Sequence, residues 1–201
     1  MTIKNILSYF LLSLTLVVSA CGDKNDQEAT VTPAAELSLN HFFAYHDGNP
    51  KTKTQAPSEL KAEALKSETE FYFYSGNQNQ IGRDATGDDH ISFKIPVANL
   101  KSDYIGKYNL KSLPEPANGQ ASVYYVHYAN ASGGSMFDSR WNTLEGLYEI
   151  KSYDAKHQLV SGEYTLTMKQ VGDPYTADQG FPDRKKVDIT VSGTFKNVRV
   201  N

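Results

Sequence analysis
The 201-residue sequence predicts an all-β fold, an antiparallel sandwich of two sheets with about eight strands. Three observations predict it. Segment after segment alternates apolar and polar residues with period two, the spacing of a half-buried strand. β-Branched and aromatic residues, including 13 Tyr and 9 Phe, crowd those segments. Turn formers such as Asp47-Gly48, Thr86-Gly87-Asp88, Asn118-Gly119 and Gly133-Gly134 separate them. An up-and-down barrel holding a small apolar ligand satisfies the same pattern and is the second architecture.

Residues 1–20 stand outside that fold. MTIKNILSYFLLSLTLVVSA carries one positive charge at Lys4, an apolar run from Ile6 to Val18, and the small residues Ser19 and Ala20. This is the layout of a secretory signal. Its apolar core is too short for a comfortable membrane span, which takes about 20 residues. From Gly22 to Ser38 the chain is polar and rich in Ala, Thr and Pro, and nothing there can bury a face. Residues 21–38 therefore read as a tether, and 39–201 as one β-domain.

Within the domain, 57–66 (PSELKAEALK) consists of helix formers, with Ser58 as an N-cap and Leu60, Ala64 and Leu65 on one side. A short helix over 58–66 is expected, with a strand running on toward Phe71 as its alternative. Residues 70–74 (EFYFY) are aromatic throughout, and 90–97 (HISFKIPV) put Ile91, Phe93, Ile95 and Val97 on one face. Segments 121–128, 144–153, 158–170 and 186–200 continue in the same style.

A small unit recurs four times: GKYNL at Gly106, GLYEI at Gly146, GEYTL at Gly162 and GTFKN at Gly193. The spacings of 40, 16 and 31 residues exclude a solenoid. Glycine at a strand bend, with an aromatic two places on that packs over it, accounts for the unit. Tyr108, Tyr148, Tyr164 and Phe195 are thus expected in the core of a curved sheet.

Cys21 is the only cysteine of the chain. Val18-Ser19-Ala20-Cys21 resembles the lipobox of bacterial lipoproteins. That resemblance implies that the Cys21 thiol takes a diacylglycerol, the signal is cut before it, and the new amino group is acylated. Three acyl chains suffice for stable anchoring, since each buried CH₂ contributes about 0.8 kcal/mol. Gly22 follows, not the Asp of enteric inner-membrane retention signals, and 23–28 (DKNDQE) resembles export signals of Bacteroidota surface lipoproteins. The implied address is the outer membrane, with the cell surface favoured over the periplasmic face. Residues 148–154, 159–166 and 189–197, the last two carrying Ser-Gly-x-aromatic, are similar to motifs of small β-rich Bacteroidota lipoprotein families. This likeness implies an antiparallel β-domain and brings no activity.

Composition removes several chemistries. The 20 basic and 23 acidic residues give a net charge of −3, and loss of Lys4 with the signal makes it −4. The only basic run is Arg184-Lys185-Lys186, so nucleic acid binding has no footprint. Without further cysteines, disulfides, thiol catalysis and Cys-based metal sites drop out. His41 and His46 lie five apart, on opposite faces of a strand, and no third histidine is adjacent; no metal site is expected. Asp84, Asp88, Asp89 and His90 lack EF-hand spacing and read as a solvated hairpin loop. There is no G-x-S-x-G, and Ser132 to Ser135 lack the strand-turn-helix setting of a nucleophile.

What remains points to binding without catalysis and without a cofactor. The segment 170–185 is long for a hairpin connection and offers Tyr175 and Phe181, aromatics without a partner in any period-two pattern. Asp138, Arg140 and Trp141 can pair and stack, as a cap on the core or as a platform for a sugar. Candidate ligand contacts are therefore Tyr175, Phe181 and Trp141, and Cys21 carries the lipid. The expected partners are the membrane, through that lipid, and an envelope protein or glycan.

Overall fold
Alternation marks the long strands, and the computed structural model shows twelve strands in all among the residues it describes, 32–77, 89–130, 133–176 and 184–201. They lie in one compact unit, Pro33–Asn201. In chain order they are β1 (Glu36–Leu37), β2 (Asn40–Ala44), β3 (Lys51–Thr54), β4 (Leu60–Lys66), β5 (Glu70–Asn77) and β6 (His90–Pro96). Then follow β7 (Gly106–Asn109), β8 (Ser122–Asn130), β9 (Gly133–Asp138), β10 (Leu144–Asp154), β11 (Leu159–Gly172) and β12 (Lys186–Arg199). Cys21, Asp84, Asp88 and Phe181 lie outside the described residues.

Two antiparallel sheets face each other. The seven-stranded sheet has the order β3-β2-β12-β11-β10-β7, with β1 also on β12, and the five-stranded sheet runs β4-β5-β6-β8-β9. Single parallel bridges, Ala64 with Val200 and Leu110 with Ala121, join the sheets at two corners. The sheets do not close, so the sandwich is the architecture and the barrel is not. The space a barrel would offer a ligand is filled by rings: Phe93 stacks on Tyr148 at 4.7 Å, Phe73 meets Phe195 at 4.4 Å, and Tyr148 lies parallel to Phe195 at 5.5 Å. Each fully buried ring of this kind contributes about 1.5–3 kcal/mol by leaving water.

Three expectations need correction. The segment 58–66 is not a helix. A turn of 3-10 helix at Pro57–Glu59 leads into β4, which pairs with β5 along its length, from Leu60 opposite Asn77 to Lys66 opposite Phe71. Leu60, Ala62 and Ala64 face inward and Leu65 is exposed, a period-two pattern that ladder pairing enforces over weak helix propensity. The strand count exceeds eight because β3 (KTKT) has no apolar alternation and short strands such as β1 and β9 carry little local signal. β1 also falls inside the stretch read as tether, held by Glu36 opposite Lys196 and Leu37 opposite Phe195. The lysines of β3 suit its place at the sheet edge, where charge discourages pairing with another chain.

The third correction concerns the glycine units. All four aromatics are buried, none more than 1% exposed, as expected. Yet each does not cover its own glycine. On β11 and β12 the register sets Gly162 opposite Phe195 and Tyr164 opposite Gly193. A Cβ on Gly162 would meet the Phe195 ring at 2.7 Å, and one on Gly193 would strike the Tyr164 hydroxyl. The two units therefore serve one another across the ladder, each aromatic filling the space the facing glycine leaves. Gly146 is constrained by backbone: its φ is +136°, and a Cβ there would strike the Thr165 carbonyl.

This packing separates two tyrosines. Replacing Tyr164 by Ala should lower unfolding stability by about 3–5 kcal/mol through the cavity left behind. Tyr148 is equally buried, but its hydroxyl finds no hydrogen-bond partner among the described residues. Tyr148→Phe should therefore raise stability by about 1 kcal/mol. Urea unfolding checks both; a wild-type midpoint for Tyr164→Ala would place that ring outside the core.

Candidate functional site
Among the described residues, chemistry-bearing side chains gather in two places, one on each face of the five-stranded sheet. The first is between the sheets. Asp89 immediately precedes β6, and its side chain is fully buried. Its Oδ2 accepts from the Lys53 ammonium at 2.8 Å and from the Gln55 amide at 3.0 Å. Its Oδ1 accepts from the Tyr128 backbone N–H at 2.7 Å. Two buried imidazoles complete the surroundings: His41 Nε2 stands 3.3 Å from Oδ2 and His127 Nδ1 3.1 Å from Oδ1. Both nitrogens stand at ion-pair distance from the carboxylate, short of the angle of a full hydrogen bond.

Strand alternation places each member. On β2, His41 and Phe43 point inward while Phe42 points out. On β8, Val123, Tyr125 and His127 point inward. Tyr125 Oη lies 2.8 Å from His41 Nδ1, and His127 packs on Phe43 at 4.8 Å. Burial holds the His41 pKa down to about 3, against the opposing pull of Asp89, so its imidazole is neutral. Burial works against ionisation of Asp89 too, but His127, His41 and Lys53 outweigh it and keep the carboxyl below the usual range.

The expected solvated loop at Asp89 is thus a correction: the side chain is an inter-sheet anchor. His41 and His46 do part company, since β2 ends at Ala44 and His46 sits exposed in the following turn. The histidine that joins His41 is His127, 86 residues further on by the same numbering. One signal could have found it. In 121–128 the inward register reads Val123, Tyr125, His127, and an imidazole on the apolar side of a strand calls for a partner.

Tyr175 also belongs here. β11 extends to Gly172, pairing Val171 with Val187, so the connection is shorter than 170–185. Asp173 and Pro174 are buried. The Tyr175 ring meets Phe43 edge-on at 5.3 Å and His127 at 5.4 Å, with the Lys51 ammonium 4.1 Å above it. Far from lacking a partner, it closes the end of the core beside His127. Excising 172–182 would remove this plug from Phe43 and His127.

The second place is the outer face of the five-stranded sheet. Register aligns Tyr74, Ser92, Tyr124 and Asp138 across β5, β6, β8 and β9, with Tyr72, Lys94 and Ser122 in the adjoining row. Small serines between tyrosines leave an open groove of about 770 Å³ lined by Tyr72, Ser92, Lys94, Ser122, Tyr124 and Arg140. At its end the Arg140 guanidinium donates to Asp138 Oδ2 at 2.7 and 3.2 Å and lies 4.7 Å over the Trp141 ring. The Asp138 carboxyl is held low by the Arg140 hydrogen bond. Trp141 is 70% exposed, so the platform reading has its ring in solvent. The structure does not bring Trp141 and Tyr175 together; they flank opposite faces of the sheet.

Compared with protein-family models, with curated proteins and with solved structures, the chain has no significant match.

The two places differ in what they cost to disturb. Asp89→Ala leaves Lys53, Gln55 and the Tyr128 N–H without their acceptor and should destabilise the fold by about 3–5 kcal/mol. Glu145→Ala breaks the exposed pair with Lys169 and should cost about 0.5 kcal/mol or less. Denaturant midpoints measured in parallel check the contrast; equal losses would remove Asp89 from the role of anchor.

Proposed function
We propose that this protein is a lipid-anchored, non-catalytic binding module of the bacterial outer membrane, held by acylated Cys21 and turned toward the cell surface. Its ligand is an envelope glycan, bound on the outer face of the five-stranded sheet. The observation that carries the reading is the groove between Tyr72 and Tyr124, at whose end Arg140 lies over the exposed Trp141 ring.

The chemistry fits a saccharide. Tyrosine and tryptophan rings offer flat apolar surfaces to sugar C–H faces and keep a polar edge for hydroxyls. Ser92, Ser122, Asp138 and Arg140 supply donors and acceptors at the groove floor and end, and the volume lies in the range of small-ligand sites. The aromatic-filled interior gives no support to a carrier of apolar ligands. For anchoring, the support is Val18-Ser19-Ala20-Cys21 at the end of an apolar run, together with a chain that has no other thiol. Among the described residues, no helix is long and apolar enough to cross a membrane.

Anchoring and binding are tested separately. Cys21→Ser should move the protein from the membrane fraction to soluble or uncleaved forms; a variant still acylated and membrane-bound refutes the anchor. For binding, the full chain is titrated with purified envelope polysaccharide and with defined oligosaccharides. Tyr124→Ala and Trp141→Ala should each weaken glycan binding by about tenfold, the loss of one stacking contact. Glycan affinity that is absent, or unchanged in both variants, overturns the glycan reading; retention of an envelope protein that both variants lose would put a protein in its place.

A further inference from the structure
We propose that His41 Nε2, His127 Nδ1 and the Asp89 carboxylate form a binding site for one divalent transition-metal ion of the zinc class. One donor atom from each residue lies within 4.8 Å of the others, His41 Nε2 and His127 Nδ1 stand 3.3 and 3.1 Å from the carboxylate, and all three residues are buried. Tetrahedral zinc at 2.0–2.1 Å from nitrogen sets its ligands about 3.3 Å apart, so shifts of roughly 1 Å or less close the site. Two imidazoles and one carboxylate suit zinc and its first-row neighbours, and leave a position for water.

Independent support comes from the ring nitrogens. His41 Nε2 and both nitrogens of His127 are buried without a hydrogen-bond partner among the described residues. A buried unsatisfied polar atom is costly, and native folds seldom keep several together. A cation among them satisfies His41 Nε2 and His127 Nδ1 at once. The supporting contacts are already present. Tyr125 Oη orients His41 through Nδ1 at 2.8 Å, while Gln55 and the Tyr128 N–H hold the carboxylate. His41 and His127 sit within strands and Asp89 at a strand start, which fixes the donors before any ion arrives.

Lys53 is the rival. Its ammonium lies 2.8 Å from Asp89 Oδ2 and supplies the positive charge that a metal would bring. Unlike the three ligands it is 32% exposed, on edge strand β3, so its head can swing into solvent and give up the carboxylate. Metal and lysine are thus alternative counter-ions of one buried anion, and the site loads by exchanging them.

The test uses the full chain in detergent micelles, stripped with chelator and titrated with Zn²⁺ by calorimetry and with Co²⁺ by visible absorption. One ion per chain should bind at micromolar metal, with cobalt bands of low-coordinate nitrogen and oxygen ligation. Saturation should raise the melting temperature by roughly 5–10 °C at free metal a hundredfold above Kd. Lys53→Met keeps every donor and removes the rival, so it should bind about tenfold tighter. His41→Gln and His127→Gln, checked for fold by near-ultraviolet circular dichroism, should each lose about a hundredfold in affinity. No uptake by wild type and Lys53→Met alike overturns the proposal, as does uptake that folded His41→Gln and His127→Gln retain in full. Should neither histidine variant fold, the Lys53→Met comparison decides: unchanged or weaker binding refutes the site.

Discussion
A single buried carboxylate ties this sandwich together. Asp89 is the point at which one side of the seven-stranded sheet, through His41, Lys53 and Gln55, meets β8 of the five-stranded one, through His127 and the Tyr128 N–H. An ionised carboxylate out of water is tolerated only when paired and hydrogen-bonded. That demand sets the registry of β2, β3 and β8 in a way hydrophobic packing cannot, because apolar contact has no direction. The aromatic interior then fills the space whose dimensions this seam defines.

The interior has its own internal logic. Large rings cannot face each other at every rung of a curved ladder without collision, so glycines stand opposite them on the neighbouring strand. The pairing of Gly162 with Phe195 and of Tyr164 with Gly193 turns two sequence motifs into one interlocked unit. Rings from the opposite sheet, Phe73 and Phe93, close over it. Such packing fills the space around Phe73, Phe93, Tyr148 and Phe195 with rings.

β8 connects the two sites. Its inward residues Tyr125 and His127 belong to the buried polar seam, and its outward residues Ser122 and Tyr124 floor and wall the groove. Alternation puts these groups within one strand of each other while keeping one set dry and the other wet. The same strand that orients the His41 ring through Tyr125 thus also presents the outer groove through Ser122 and Tyr124. Preorganised aromatic surface loses little entropy on binding.

Local pattern by itself determined the class of fold, most of the long strands and the burial of the four glycine-linked aromatics. β6, β11 and β12 were legible because period-two alternation is a property of neighbouring residues, and the lipobox likeness around Cys21 is likewise written in a few adjacent positions. Tertiary structure decided the rest. Residues 60–66 became strand β4 because pairing with β5 outweighs the small helix preference of Leu, Lys, Ala and Glu. Asp89 looked like loop polarity because its partners, Gln55 and Tyr128, lie 34 and 39 positions away. Tyr175 looked free for the same reason, its neighbours Phe43 and His127 being remote in the chain. Local periodicity records which face of a strand meets the core; it carries no record of which distant side chain waits there, and that assignment comes only when the sheets meet.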